Sequence, residues 1–539
     1  MKRGEGVLTI RTDNSYKGGT RISGGAISVS SLSNSTQALG NLGSVNTIAS
    51  KMIIENGAEL RTTAAVTQGS AMSVLGDEGG VINNSNDYAV AAAISGTNLM
   101  KKGSGWMKLN VNNTSLNRLI INGGTVQCVS CNTPAKTVEF RNGTLSENTG
   151  TGYSIDVAAN GKGTWNLVND ANYSNKITGK GTLTISCPVR SGGSGANTWY
   201  ATRTRISGNW SDFEGTIVAK SNGDPGGRFT LDNGYGMPKG TFEIPSGVEV
   251  QNSAKTYRIG KLTGSGNLGG VCSFSSSGTS GSNTWEVGND ESWSWSGRVT
   301  GSGTTFVKVG SGKMTVRGVW NNTGSVRINE GELCIFSGSM LGSGSLVVAE
   351  GASLTGVTAS SGFLTNAGFT INGTVQVGVT RMSYTGVINF GNKNVTFNKG
   401  SNYIAGVIRA ASSYSSGCTS MNQINRLIMN GKISVFLSPS YTPQEGDSIR
   451  LWEATSFSGN PEFDLPELEN GLAWDTSRIS EGLLFVVLPS AINNHYFGEG
   501  RSPEDVFTLD GQLVRKNAQS LEGLPRGIYL WRGRKTIVK

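Results

Sequence analysis

The sequence predicts an all-β chain, a right-handed parallel β-helix (β-solenoid) with a C-terminal cap and a small β-rich tail. Three observations carry this. Paired glycine turns recur at one fixed spacing. Short apolar–polar alternations lie between those turns. Helix formers give way to Gly, Ser, Thr and Asn along the chain, with 78 Gly in 539 residues, about twice the usual share. The glycines lack a G-X-Y period, which excludes collagen. Scarce helix formers argue against helical bundles and doubly wound α/β folds.

The repeat is explicit in three segments. The first has Lys2, Gly4 and Gly6, then Asn14, then Gly24-Gly25. The second has Lys101, Gly103 and Gly105, then Asn113-Thr114, then Gly123-Gly124. The third has Lys308, Gly310 and Gly312, then Asn322-Thr323, then Glu330-Gly331. The first Gly of the GxG stands 20 residues before the first position of the second turn in each (4 to 24, 103 to 123, 310 to 330). The glycines supply tight bends or positive φ, and the alternating segments between them read as strands. About 20 residues per unit is one coil of a parallel β-helix. Inward Val, Leu, Ile and Met then stack into a continuous core. Asn residues near the turns are expected to ladder, each amide bonding its copy in the next coil. Degenerate units such as 177–185, 262–268 and 341–354 extend the repeat over residues 1–437.

The remaining chain divides by composition. Residues 438–488 read as a cap that closes the open strand edge of the solenoid, with Trp452 and Trp474 in the cap core. Residues 489–502 read as a polar linker carrying His495, the single His, which we assign no catalytic role. In 503–539, Asp510-Gly511 is a hairpin turn between alternating strands, and Pro525-Arg526-Gly527 is a second turn.

Charge and cysteines narrow the function. The net charge of +9 is mild for this length and favours acidic glycans or an anionic surface over nucleic acid, since no dense basic run occurs. No apolar run is long enough for a transmembrane helix. The six cysteines are too dispersed for a small-domain disulfide framework. Cys128 and Cys131 form a CxxC within a strand pattern, which reads as buried or turn cysteines. Nothing asks for a cofactor or a resident metal. The N-terminus has no apolar signal core and begins in mid-repeat, which suggests a fragment of a longer protein.

Catalysis would need paired carboxylates, or an acidic Ca²⁺ cluster with a basic partner. The best local candidates are Asp290 and Glu291, beside Trp285, Trp293 and Trp295. These tryptophans, with Trp199, Tyr200 and Trp210, are candidate carbohydrate-binding residues, because aromatic faces stack on sugar rings. Glu462, Asp464, Glu467 and Glu469 form a second acidic patch, expected to be a solvated loop.

The Lys-x-Gly-x-Gly, the Asn14-Ser15-Tyr16-Lys17-Gly18 element and the Gly24-Gly25 turn make residues 2–29 resemble the autotransporter-associated β-strand repeat family. The second copy has Leu116 where Tyr16 stands in the first, and the third has no aromatic there. The resemblance implies a β-helical passenger that is exported, without implying one activity. Residues 503–539, with strand–Asp510-Gly511–strand, Leu524-Pro525-Arg526-Gly527-Ile528-Tyr529 and a basic last strand, resemble the C-terminal sorting domain of the Bacteroidetes type IX secretion system. That implies a secreted or cell-surface protein whose tail engages the secretion machinery. The expected function is a rigid stalk or adhesin that contacts a polysaccharide or cell-surface glycan. The alternative is a polysaccharide hydrolase or lyase, or the accessory part of one whose catalytic domain lies upstream.

Overall fold

The computed structural model describes residues 1–14, 16, 18–32, 52–147, 152–168, 171–188, 205–222, 228–232, 234–253, 256–271, 282–358, 362–378, 386–409, 417–488, 504–509, 512–532 and 534–538. Short parallel strands dominate, and the largest sheet has 27 of them. The chain is a β-solenoid. Residues 72–128 show how it is built. Met72–Leu75, Gly80–Asn84 and Tyr88–Val90 form three strand runs in one coil. Ile94–Lys102 then pairs in parallel with the first two runs, and Trp106–Leu109 pairs with the third. Leu116–Cys128 lies in turn on both of those strands.

Burial follows the alternation that the sequence predicts. Met107, Val126, Leu145, Trp165, Ile185 and Ala219 occupy one register row, and all six are buried. One hydrophobic cluster runs from Ile22 to Leu484. Each side chain that one coil buries is thus packed by its row mates above and below, and the core grows with every coil.

The glycine turns also fall as the 20-residue spacing requires. Gly25, Gly124 and Gly331 have φ of +62°, +63° and +65°. A Cβ at each would lie 2.4, 2.5 and 2.4 Å from the carbonyl oxygen of Gly6, Gly105 and Gly310 respectively. Glycine is needed there twice over, for the left-handed φ and for contact with the coil below.

The asparagine expectation needs correcting. Amide–amide contacts between coils do occur, at Asn398–Asn372 (2.7 Å) and Asn425–Asn394 (3.0 Å). The fully buried asparagines instead donate to backbone carbonyls. Asn322 reaches the oxygens of Thr304 and Gly324, and Asn366 those of Leu341 and Gly344. A turn buried inside a solenoid leaves carbonyls without partners, and these claim the amide first.

Parallel stacking continues beyond the boundary expected at 437/438. Thr419–Met429 pairs in parallel with Trp452–Ser458, and Lys432–Leu437 pairs with Glu462–Asp464. The cap proper is an antiparallel sheet of Ser448–Arg450, Leu483–Val487 and Ala473–Asp475. Trp452 is fully buried, whereas Trp474 is half-buried with its indole N–H donated to the Pro466 carbonyl at 2.8 Å. Tyr403 ties the last coils to the cap region by donating its hydroxyl to the Leu451 carbonyl at 2.9 Å.

The tail is a four-stranded antiparallel sheet of Val506–Thr508, Leu513–Arg515, Gly527–Trp531 and Arg534–Val538. The Asp510-Gly511 turn and His495 lie outside the described residues. Cys128, Cys131, Cys334 and Cys418 are buried free thiols. No described helix is long and apolar enough to cross a membrane.

Candidate functional site

The strands that bury Val126, Leu145, Trp165 and Ile185 present their alternate residues outward. Two rows result. The first is Trp106, Thr125, Thr144, Thr164 and Thr184, and the second is Lys108, Gln127, Ser146, Asn166 and Ser186. Trp106 is 43% exposed, which sets it apart from every other tryptophan described here. The threonines are half-buried, so their hydroxyls line the surface without projecting far from it. Ser186 is buried, and its row continues to the exposed Lys220.

A shallow cavity of about 250 Å³ opens on this face, lined by Asn142, Gly143, Thr144, Lys162, Gly163, Thr164, Thr182 and Thr184. Gly143 and Gly163 are paired neighbours that form its floor. A Cβ on Gly163 would meet the Phe140 ring at 2.5 Å, so the close packing beneath keeps that position bare. Lys162 is exposed at the rim. Hydroxyls both donate and accept, amides do the same, and a flat indole offers an apolar face; together these are the groups that recognise sugar hydroxyls and sugar rings.

Three carboxylates near this face are ion-paired. Glu139 is held by Arg118 and by Arg141, and Arg118 also reaches Asp156 at 3.6 Å. Asp87 accepts from Lys108 at 2.5 Å. Next to Ser146, the side chain of Glu147 turns into the core. Burial pushes its carboxyl up to about 8, only partly offset by the Trp165 indole, and neither oxygen has a full hydrogen bond.

The residues singled out from sequence fall elsewhere. Trp210, Trp285 and Trp295 are fully buried and Trp293 is 8% exposed. Trp285 donates its indole N–H to the Gly269 carbonyl at 2.9 Å and packs edge-on against Tyr257. Trp295 packs against Trp320 at 5.9 Å. These four rings fill the solenoid, where no sugar can stack on them, and this corrects the expectation that they bind carbohydrate. Alternation put Trp293 and Trp295 on one side of a strand, and the structure makes that side the interior. Trp199 and Tyr200 lie outside the described residues.

Asp290 and Glu291 are exposed, but both are committed. Asp290 accepts from the Ser311 hydroxyl (2.7 Å) and from its N–H (3.3 Å), which hold the carboxyl below the usual range. Glu291 pairs with Lys261 at 2.8 Å. Each is committed to a different partner, Asp290 to the Ser311 turn and Glu291 to a lysine within the strand Thr256–Gly264. In the second acidic patch, Asp464 accepts from Ser434 (3.0 Å) and pairs with Lys432 at 3.4 Å. Among the described residues no three His, Cys, Asp or Glu side chains are grouped to hold a metal.

Sequence reasoning missed the Trp106–Thr184 face. Its signal was present, because Trp106, Thr125, Thr144 and Thr164 are 19, 19 and 20 residues apart, one coil each. No family model matches the chain, and no curated protein matches it.

Proposed function

We propose that the chain is an exported β-solenoid passenger, a rigid stalk or adhesin displayed at a cell surface, which binds glycans through the face running from Trp106 to Thr184. The observation that carries the binding role is the row itself: one exposed indole in register with four threonines across five successive strands. The parallel ladder beneath makes the face rigid, so little ordering entropy is lost on binding. The stalk role rests on the continuous core, since a solenoid packed throughout its length bends little. Export rests on the resemblances of residues 2–29 and 503–539; the tail itself folds as an antiparallel sheet.

The test is binding of the full chain to a panel of immobilised polysaccharides, compared with Trp106→Ala. Ring stacking contributes about 1 kcal/mol beyond area burial, so binding should weaken about tenfold while the melting temperature stays unchanged. Binding that is untouched by Trp106→Ala would move the site elsewhere. Absence of binding to every glycan would leave the stalk role alone. Release of reducing ends or unsaturated uronates by the wild type would favour the enzyme reading instead.

A further inference from the structure

We infer that the glycan bound on this face is anionic, a uronate-bearing polysaccharide lying along the solenoid axis with a carboxylate on Lys162. The inference rests on the glycan-binding reading above and specifies its ligand.

The direction follows from register. Trp106, Thr125, Thr144, Thr164 and Thr184 are stacked across strands, not along one strand. Strands in a sheet lie about 4.8 Å apart, so the row spans about 19 Å perpendicular to the strands. A ligand contacting both Trp106 and Thr184 must therefore cross coils. That length suits an extended chain of several sugars, whereas a single sugar would reach only part of the row.

The charge follows from the cavity lining. It holds one cation, Lys162, and no carboxylate. Lys162 is two residues from Thr164 on the same strand and lines the same cavity. None of the ion pairs among the described residues involves it. Among the described acids of this stretch, Glu139 is paired with Arg118 and Arg141, and Asp156 with Arg118. Residues 106–186 carry seven Lys and Arg against four Asp and Glu. A face with an uncompensated ammonium attracts anions and disfavours cationic surfaces. An ammonium is a compact point charge with three donors. Among threonine hydroxyls it matches a single carboxylate flanked by ring hydroxyls.

The experiment uses the full chain and three polymers: polygalacturonate, its methyl ester and a sulfated galactan. The methyl ester keeps the ring and removes the charge. Expected is binding to polygalacturonate that falls about tenfold on methyl esterification, in Lys162→Gln and on raising salt from 0.05 to about 0.5 M. Lys162→Arg should retain binding. Since Lys162 is exposed, none of these variants should shift the melting temperature. Equal binding of the acid and its ester, with no effect of Lys162→Gln, would overturn the inference while Trp106→Ala still tested the glycan reading. Preference for the sulfated polymer would overturn the uronate assignment. Loss of binding to charged and neutral glycans alike would sink both the inference and the reading beneath it.

Discussion

The Lys308 ammonium donates to the carbonyl oxygen of Glu330, 22 residues further on, at 3.2 Å. It also donates to the carbonyls of Val309 (2.9 Å) and Gly310 (2.8 Å). Lys101 makes the same three contacts, to Lys102, Gly103 and Gly123, and Lys2 makes them to Arg3, Gly4 and Gly24. The lysine that opens each Lys-x-Gly-x-Gly is thus a clamp. Its three protons satisfy two carbonyls of its own turn and one of the turn stacked above. This gives the first residue of the repeat a physical reason. Arg's planar fork presents its donors in a different geometry, so the two are not interchangeable there.

Removing the clamp should be costly. Lys101 and Lys308 are fully buried, so Lys308→Met leaves three carbonyls without their donor. A loss of about 1–3 kcal/mol is expected, read as a lower denaturation midpoint at pH 7. A pH series adds a second signature. Burial lowers both ammonium groups to about 8, from 10.5. Between those values the unfolded chain binds more protons than the folded one, so stability rises with pH from about 8 to 10.5. Lys308→Met should show a smaller rise than the wild type, and an equal rise would refute the assignment.

Gly124→Ala should be among the more damaging small substitutions in the chain. The new methyl would need φ of +63° and would sit 2.5 Å from the Gly105 carbonyl oxygen. Gly446 also has positive φ (+87°), but open space surrounds it. Gly446→Ala therefore pays for conformation only, about 1 kcal/mol, and Gly124→Ala should exceed it by at least as much again. Thermal unfolding of the two variants side by side measures the difference, and equal losses would mean that the coil–coil contact is slack.

Glu147 predicts the opposite pH trend from the lysines. Its carboxyl is raised from 4.5 to about 8 by burial. Between those values the folded chain binds the more protons, so this group's stabilising contribution is complete below about 4.5 and disappears as pH rises to about 8. Glu147→Gln removes the ionisation. It should raise the denaturation midpoint at pH 8, by an amount on the order of 2 kcal/mol, and change it little at pH 4. An unchanged midpoint at pH 8 would show that the carboxylate finds a partner there.

The two levels of description divide cleanly. The 20-residue spacing of Gly4 to Gly24, Gly103 to Gly123 and Gly310 to Glu330 was enough to specify a stacked coil, because turn geometry and strand length are local properties of the chain. The alternation in Val126, Leu145 and Trp165 was equally legible, since a strand shows its two faces at period two. Which face is the interior was not legible wherever both faces carried large side chains. Trp293 and Trp295 looked as able to meet a sugar as to meet the core. Only their row mates Met314 and Val316, both buried, decide for the core.

The tertiary structure alone also decided where the chemistry lies. Trp106, Thr144 and Lys162 belong to three different coils and share a surface only because each coil stacks in register on the last. Asp290 and Glu291, adjacent in sequence, are drawn apart to Ser311 and Lys261 by that same stacking. Sequence by itself thus determined the coil, a matter of local turns and alternation. The exposed face arises between coils, from contacts about 20 residues apart, and needed the register to be seen.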